Sequence, residues 1–211
     1  MGDTLQDRVA RGLGTVARVV GQPADAFRPA RPTRPLASEN RFLRLPAAFH
    51  VGTRFTTPER HGAPLWQGLF DSAYTRPGDY LAQGDAVYFI ASQPRLLPVL
   101  CVKTNRVVRL SRGPITDRVG EVPYGGFDAR ELFLLTEWPA SMFGLRGAGL
   151  PRAHLPADVG RADWTVLLPA SVPVAIQAND RLHDDLGREG IVAGVEESDL
   201  GWRLFVQEAR M

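Results

Sequence analysis

Apolar residues at the start of the chain fall at Leu5, Val9, Leu13, Val16 and Val20, spacings of four, four, three and four that trace one face of a helix. Gly12 and Gly14 each weaken such a helix by up to about 1 kcal/mol, so it needs a surface to dock on, and Gly21 is a natural stop. From Phe42 onward the pattern changes to short apolar runs cut by Pro and Gly. Strands are expected over 48–55, 80–81, 87–91, 99–104, 106–110, 131–136, 165–168, 174–176, 191–195 and 202–207. Many short strands separated by turn residues predict a mainly β chain built from two small β-barrel or β-sandwich modules.

Between the helix and the first of these strands lies QPADAFRPARPTRPLASENR, where Pro23, Pro29, Pro32 and Pro35 forbid helix and alternate with Arg28, Arg31 and Arg34. This stretch reads as an extended, solvated arm with polyproline-like stiffness. It suits an arm lying on a neighbouring subunit, a basic strap on nucleic acid, or a plain linker. Only Phe27 is aromatic, which gives base stacking little support and favours the protein-binding arm. Phe27, Arg28, Arg31 and Arg34 are therefore the candidate interface residues, and Arg31→Glu with Arg34→Glu should weaken assembly while leaving the fold intact. Residues 111–126 and 141–160, rich in Gly, Pro and Arg, read as long surface loops suited to binding a neighbour. The expected organisation is helix and arm over 1–39, a first β module over 40–112, a loop-rich connector over 113–159 and a second β module over 160–211.

A faint repeat accompanies the two modules. RPGDYLAQGDAVYFIA places Asp79, Leu81 and Ile90 where QANDRLHDDLGREGIVA places Asp180, Leu182 and Ile191. Trp66 precedes one and Trp164 the other. Each reads as a strand, a polar hairpin containing Gly84 or Gly187, and a returning apolar strand.

The chain has 211 residues, 44% hydrophobic and 23% charged, an ordinary balance for a globular protein with a real core. No stretch approaches the ~20 apolar residues of a membrane span. The N-terminal MGDTLQDRVARG carries charge where a signal peptide would be apolar, so secretion by that route is not expected. Cys101 stands alone in LLPVLCV, which excludes an internal disulfide and reads as a buried, inert thiol.

Charge is graded along the chain. Residues 1–60 hold ten Arg against five acids, while residues 151–211 hold six Arg against ten. Opposite ends suit head-to-tail contact between copies, although two solvated surfaces explain them equally well. The use of Arg over Lys favours planar, bidentate contacts, or reflects a GC-rich genome.

Candidate chemistry is sparse. His50, His61, His154 and His183 are widely separated and lack the spacing of metal ligands. His183-Asp184-Asp185 lies beside Gly187 and reads as a solvated turn. Glu196, Glu197 and Asp199 could coordinate a hard cation, and a turn between strands accounts for them as well. Trp66, Phe70, Trp138, Phe143, Trp164 and Trp202 read as core or interface anchors. There is no nucleophile elbow, phosphate loop or dinucleotide fingerprint, and neither a catalytic residue, a cofactor site nor a metal site is assigned. A non-enzymatic role is expected.

The stretches NRFLRLPAAF, LWQGLFDSAYTRPGDYL and YFIASQPRLLPVLCVKTNRVV, with WTVLLP and ESDLGWRLFVQEA near the C-terminus, resemble uncharacterised structural proteins of tailed phages and prophages. Together they hold 67 of the 211 residues. Gly78-Asp79 followed by Tyr88-Phe89-Ile90 is also loosely similar to β-barrel head-closure and head–tail joining proteins. The resemblance implies a virion subunit of the neck or tail, assembled in the bacterial host cytoplasm. Its partners would be copies of itself and portal, capsid or tail proteins. A capsid decoration protein or head-fibre base is the alternative within that class, and a nucleic-acid-binding β-barrel, served by the basic N-terminal third, is the alternative outside it. No membrane contact is expected, and DNA contact is not favoured.

Overall fold

The computed structural model describes residues 5–51, 64–113, 131–144 and 164–209. The chain is mainly β, with one N-terminal helix and two sheets, each closed into a six-stranded barrel. Helix α1 spans Leu5–Val20, as its periodicity predicts. It docks, however, through Ala10, Gly14 and Ala17, while Leu5, Val16, Val19 and Val20 stay exposed. Small residues allow close approach: a Cβ on Gly14 would sit 2.9 Å from the Cβ of Asp71, so the helix backbone rests almost on the turn at Ser72–Tyr74.

The first barrel contains β1 (Gln22–Phe27), β2 (Arg41–His50), β3 (Leu65–Leu69), β4 (Tyr80–Gln83), β5 (Ala86–Ser92) and β6 (Val99–Lys103), in the order β1-β2-β3-β6-β5-β4. Alternation along the strands aims Ala24, Ala26, Leu45, Leu81, Tyr88, Ile90 and Cys101 into its interior. The continuous apolar run YFIA of β5 is explained by burial on both faces. Tyr88 and Ile90 join the first barrel's core, and Phe89 and Ala91 join the cluster shared with the second.

The second barrel repeats this plan with β7 (Arg106–Arg112), β8 (Leu132–Gly144), β9 (Trp164–Leu168), β10 (Arg181–Asp184), β11 (Glu189–Ser198) and β12 (Gly201–Glu208). Its order, β7-β8-β9-β12-β11-β10, is that of the first barrel strand for strand. The hydrogen bonds repeat as well. Ile90 N–H donates to the Asp79 carbonyl and Val192 N–H to that of Asp180, while Gly78 and Asn179 N–H groups donate to the carbonyls of Ile90 and Val192. Asp79 thus matches Asp180 and Leu81 matches Leu182, but the partner of Ile90 is Val192, one residue beyond Ile191. The β10–β11 turn is longer by that residue.

Three expectations about organisation are corrected. Gln22–Phe27 is a barrel strand paired with both β2 and β4, so 1–39 is not a separate helix and arm. Proline is tolerated because Pro23 sits near the start of β1, opposite Pro46. The strands of the first barrel run from Gln22 to Lys103 and those of the second from Arg106 to Glu208, which replaces the modules drawn at 40–112 and 160–211. The connector drawn at 113–159 contains β8, and 114–130 and 145–163 lie outside the described residues. Residues 174–176 form no strand, while β3 at Leu65–Leu69 was not foreseen.

The barrels share a core. Phe27, Tyr80, Phe89 and Val102 from the first share one buried cluster with Leu135, Trp138, Val166 and Leu204 from the second. The fully buried Tyr80 hydroxyl donates to the Pro139 carbonyl at 2.7 Å, and burial holds its pKa well above the ordinary tyrosine value. Only Thr104 and Asn105 link β6 to β7. Thr104 N–H donates to the Val87 carbonyl in the first barrel. The Asn105 side-chain amide pairs with both the N–H and the carbonyl of Met142 in the second, at 2.8 Å each, as a strand backbone would.

Candidate assembly surface

Each barrel is closed by the same ion pair. In the first, Arg28 follows β1 and donates through Nε and Nη2 to both carboxylate oxygens of Asp79, at 2.9 and 2.7 Å. In the second, Arg112 ends β7 and grips Asp180 in the same way, at 2.7 and 2.9 Å. Each guanidinium also donates to a carbonyl five residues before its Asp, that of Tyr74 or Ala175. Each Asp also accepts a backbone N–H three residues upstream, from Arg76 or Gln177. Both aspartates are 1% exposed. Hydrogen bonding to the carboxylate outweighs burial and raises the pKa of each arginine.

This pairing corrects the expectation for two candidate interface residues. Phe27 is buried in the shared core, and Arg28 is held by Asp79 within its own chain. Arg31 is exposed, and Arg34, with φ 52, lies 3.4 Å from Glu137. The segment carrying them does lie on a neighbouring body, but that body is the chain's own second barrel. Thr33 bridges to Thr136, and Trp138 Nε1 donates to the Pro32 carbonyl at 2.6 Å.

The other candidates are dispersed. His50 ends β2, and His61 and His154 lie outside the described residues. His183 faces Glu189 across β10 and β11, with Nδ1 3.2 Å from Oε1. Asp184 is buried, not a solvated turn residue. Burial alone would raise its carboxyl, but hydrogen bonds from the Arg188 side chain and from the N–H groups of Arg188 and Leu186 outweigh it and hold the pKa below the ordinary value. Cys101 is buried, which pushes its thiol up. Phe70, Trp138 and Trp202 are buried, while Trp66 and Trp164 are partly so and carry Lys103 and Arg188 over their rings. Among the described residues, no group of three or more His, Cys, Asp and Glu could hold a metal ion.

Two surface features stand out, one not foreseen and one the expected turn between strands. The first is a cleft of about 180 Å³ between α1, β2 and the Ser72–Tyr74 turn, lined by Arg18, Arg44, Leu43, Asp71 and Tyr74 among others. The second is the β11–β12 hairpin, whose Glu196, Glu197, Asp199 and Leu200 are all exposed. No sequence signal marks the cleft, because α1, β2 and the turn are brought together only by docking of the helix. Charge divides in the same way. The described residues up to Lys103 hold eleven Arg and Lys against six Asp and Glu, and those from Thr104 hold six Arg against ten acids. Comparison with family models, with characterised proteins and with solved structures finds no match to the chain.

Proposed function

We propose that this chain is a structural subunit of a tailed-phage particle, placed in the neck or tail near the head–tail connector. It acts by assembling with copies of itself and with other virion proteins. The observation that carries this reading is the fusion of two charge-opposed barrels into one body through a shared core and a doubly anchored link. Such a body is a building block with two unlike ends. With both sheets closed among the described residues, assembly proceeds through side-chain surfaces and loops. The sequence resemblance supports the same reading. Its longest stretch, YFIASQPRLLPVLCVKTNRVV, runs through β5, β6 and the link into β7, the part of the chain that joins the barrels.

Light scattering on the purified chain, with antibody labelling of particles in electron micrographs, tests the proposal. The expected result is a mass that is a multiple of the protomer and label at the neck or tail. Label on the capsid exterior would assign the chain to decoration or a fibre base. A solitary monomer absent from particles overturns the proposal.

A further inference from the structure

We infer that copies of this chain associate head to tail, the β11–β12 hairpin of one seating in the α1–β2 cleft of the next. The inference rests on the assembly reading above and names the surfaces that carry it. At about 180 Å³ the cleft is smaller than the ~300–1,000 Å³ of cofactor and ligand sites, and is suited to one or two side chains. Its polar groups favour an acidic guest. Arg18 is exposed, and Arg44 lies 3.7 Å from Asp25, whose carboxylate is held more closely by Arg41 at 2.8 Å. The one acid lining the cleft, Asp71, accepts the Ala73 N–H and is thereby engaged in its own turn. Tyr74, 67% exposed, lines the cleft together with Arg18 and Arg44, and Arg and Tyr are the residue types that anchor protein interfaces.

The hairpin has the complementary form. Glu196 is paired with Arg203 at 3.1 Å, whereas Glu197 and Asp199 lie beyond that pair, nearer the tip that carries the exposed Leu200. The tip is fixed by the Ser198 hydroxyl, which donates to the Gly201 carbonyl and accepts the Leu200 N–H, both at 3.3 Å. A tip carrying two carboxylates and an exposed leucine thus meets a cleft lined by two arginines and a tyrosine. A contact between unlike surfaces is heterologous, and repetition closes a ring or extends a filament.

The test uses the full chain and two charge-reversed forms, Arg18→Glu with Arg44→Glu and Glu197→Arg with Asp199→Arg. In each form the cleft and hairpin carry the same sign, so each alone should self-associate at least about tenfold more weakly than the unmodified chain. Mixed together, the two forms present opposite signs again and should recover a mass above the monomer. Wild-type association should weaken at ~0.5 M salt. Circular dichroism checks that both forms fold, and Arg18→Glu with Tyr74→Ser reads the same cleft should Arg44→Glu disturb β2. If the unmodified chain assembles and both reversed forms assemble equally well, the inference fails while the assembly reading stands. If the unmodified chain is monomeric, the assembly reading itself fails. Loss of DNA binding in the Arg18→Glu, Arg44→Glu form with no change in mass assigns the face to nucleic acid and overturns the inference.

Discussion

At the scale of single residues, the fold depends on buried carboxylates held by arginine. Arg28–Asp79 and Arg112–Asp180 each match a planar fork to a carboxylate that is 1% exposed, and removing the arginine strips that buried charge of its bidentate partner. Arg112→Ala should therefore lower unfolding stability by about 3 kcal/mol, read from urea melts, and replacing both members of the pair with apolar residues should cost less. Asp184 gives a pH signature. Its folded pKa is lowered, so its contribution is complete above the ordinary aspartate value of roughly 4 and is lost as pH falls through the lowered value. Asp184→Asn should flatten that acid limb in denaturation midpoints, and an unchanged limb would show that other carboxylates set it. Both aspartates of the repeat were legible in the sequence at equal offsets. Their arginines were not, because Arg28 and Arg112 lie 51 and 68 residues from their partners and pair only when the first strand of each barrel meets the fourth.

At the scale of elements, α1 separates periodicity from burial. The stripe Leu5, Val9, Leu13, Val16 and Val20 predicts the helix and its limits, yet the buried face is Ala10, Gly14 and Ala17. Close approach to β2 and the Ser72–Tyr74 turn selects small side chains over apolar ones. Ala17→Leu should cost about 1–3 kcal/mol by overpacking, while Val19→Ser, at a position 82% exposed, should stay within about 0.5 kcal/mol. The segment between α1 and β2 shows a related limit. Its prolines exclude helix correctly, but Ala24 and Ala26 are too small to mark a core strand and find their place only by pairing with β2 and β4. Gly78 belongs at this scale too. Its φ of 93 favours glycine, and a Cβ there would meet that of Ser171 in the other barrel at 2.6 Å. Gly78→Ala should destabilise by about 1–3 kcal/mol, and thermal melts check it.

At the scale of the whole molecule, the shared cluster makes the two barrels one cooperative unit. Tryptophan fluorescence and far-ultraviolet dichroism should report a single coincident unfolding transition. Asn105→Ala removes the side-chain bridge to Met142 and should lower stability by about 1–3 kcal/mol, with the two probes drawing apart as the barrels uncouple. Coincident probes in that variant would show that the apolar cluster alone joins the barrels. The duplication is also visible at this scale. Six strands follow the same order twice, where the sequence offers a few matched positions, among them Asp79 and Leu81 against Asp180 and Leu182 and Trp66 against Trp164.

The sequence by itself determined the mainly β class, the helix at Leu5–Val20, the β4–β5 and β10–β11 hairpins and the passage from basic to acidic along the chain. These are local properties, set by periodicity, turn residues and charge. The tertiary structure alone decided that both sheets close, that residues 32–34 lie on the second barrel, and that Arg28 is bound to its own chain. It also created the cleft beside α1. Each of these joins residues far apart along the chain, and such contacts depend on strand pairing and on shape, which hydrophobic spacing does not encode.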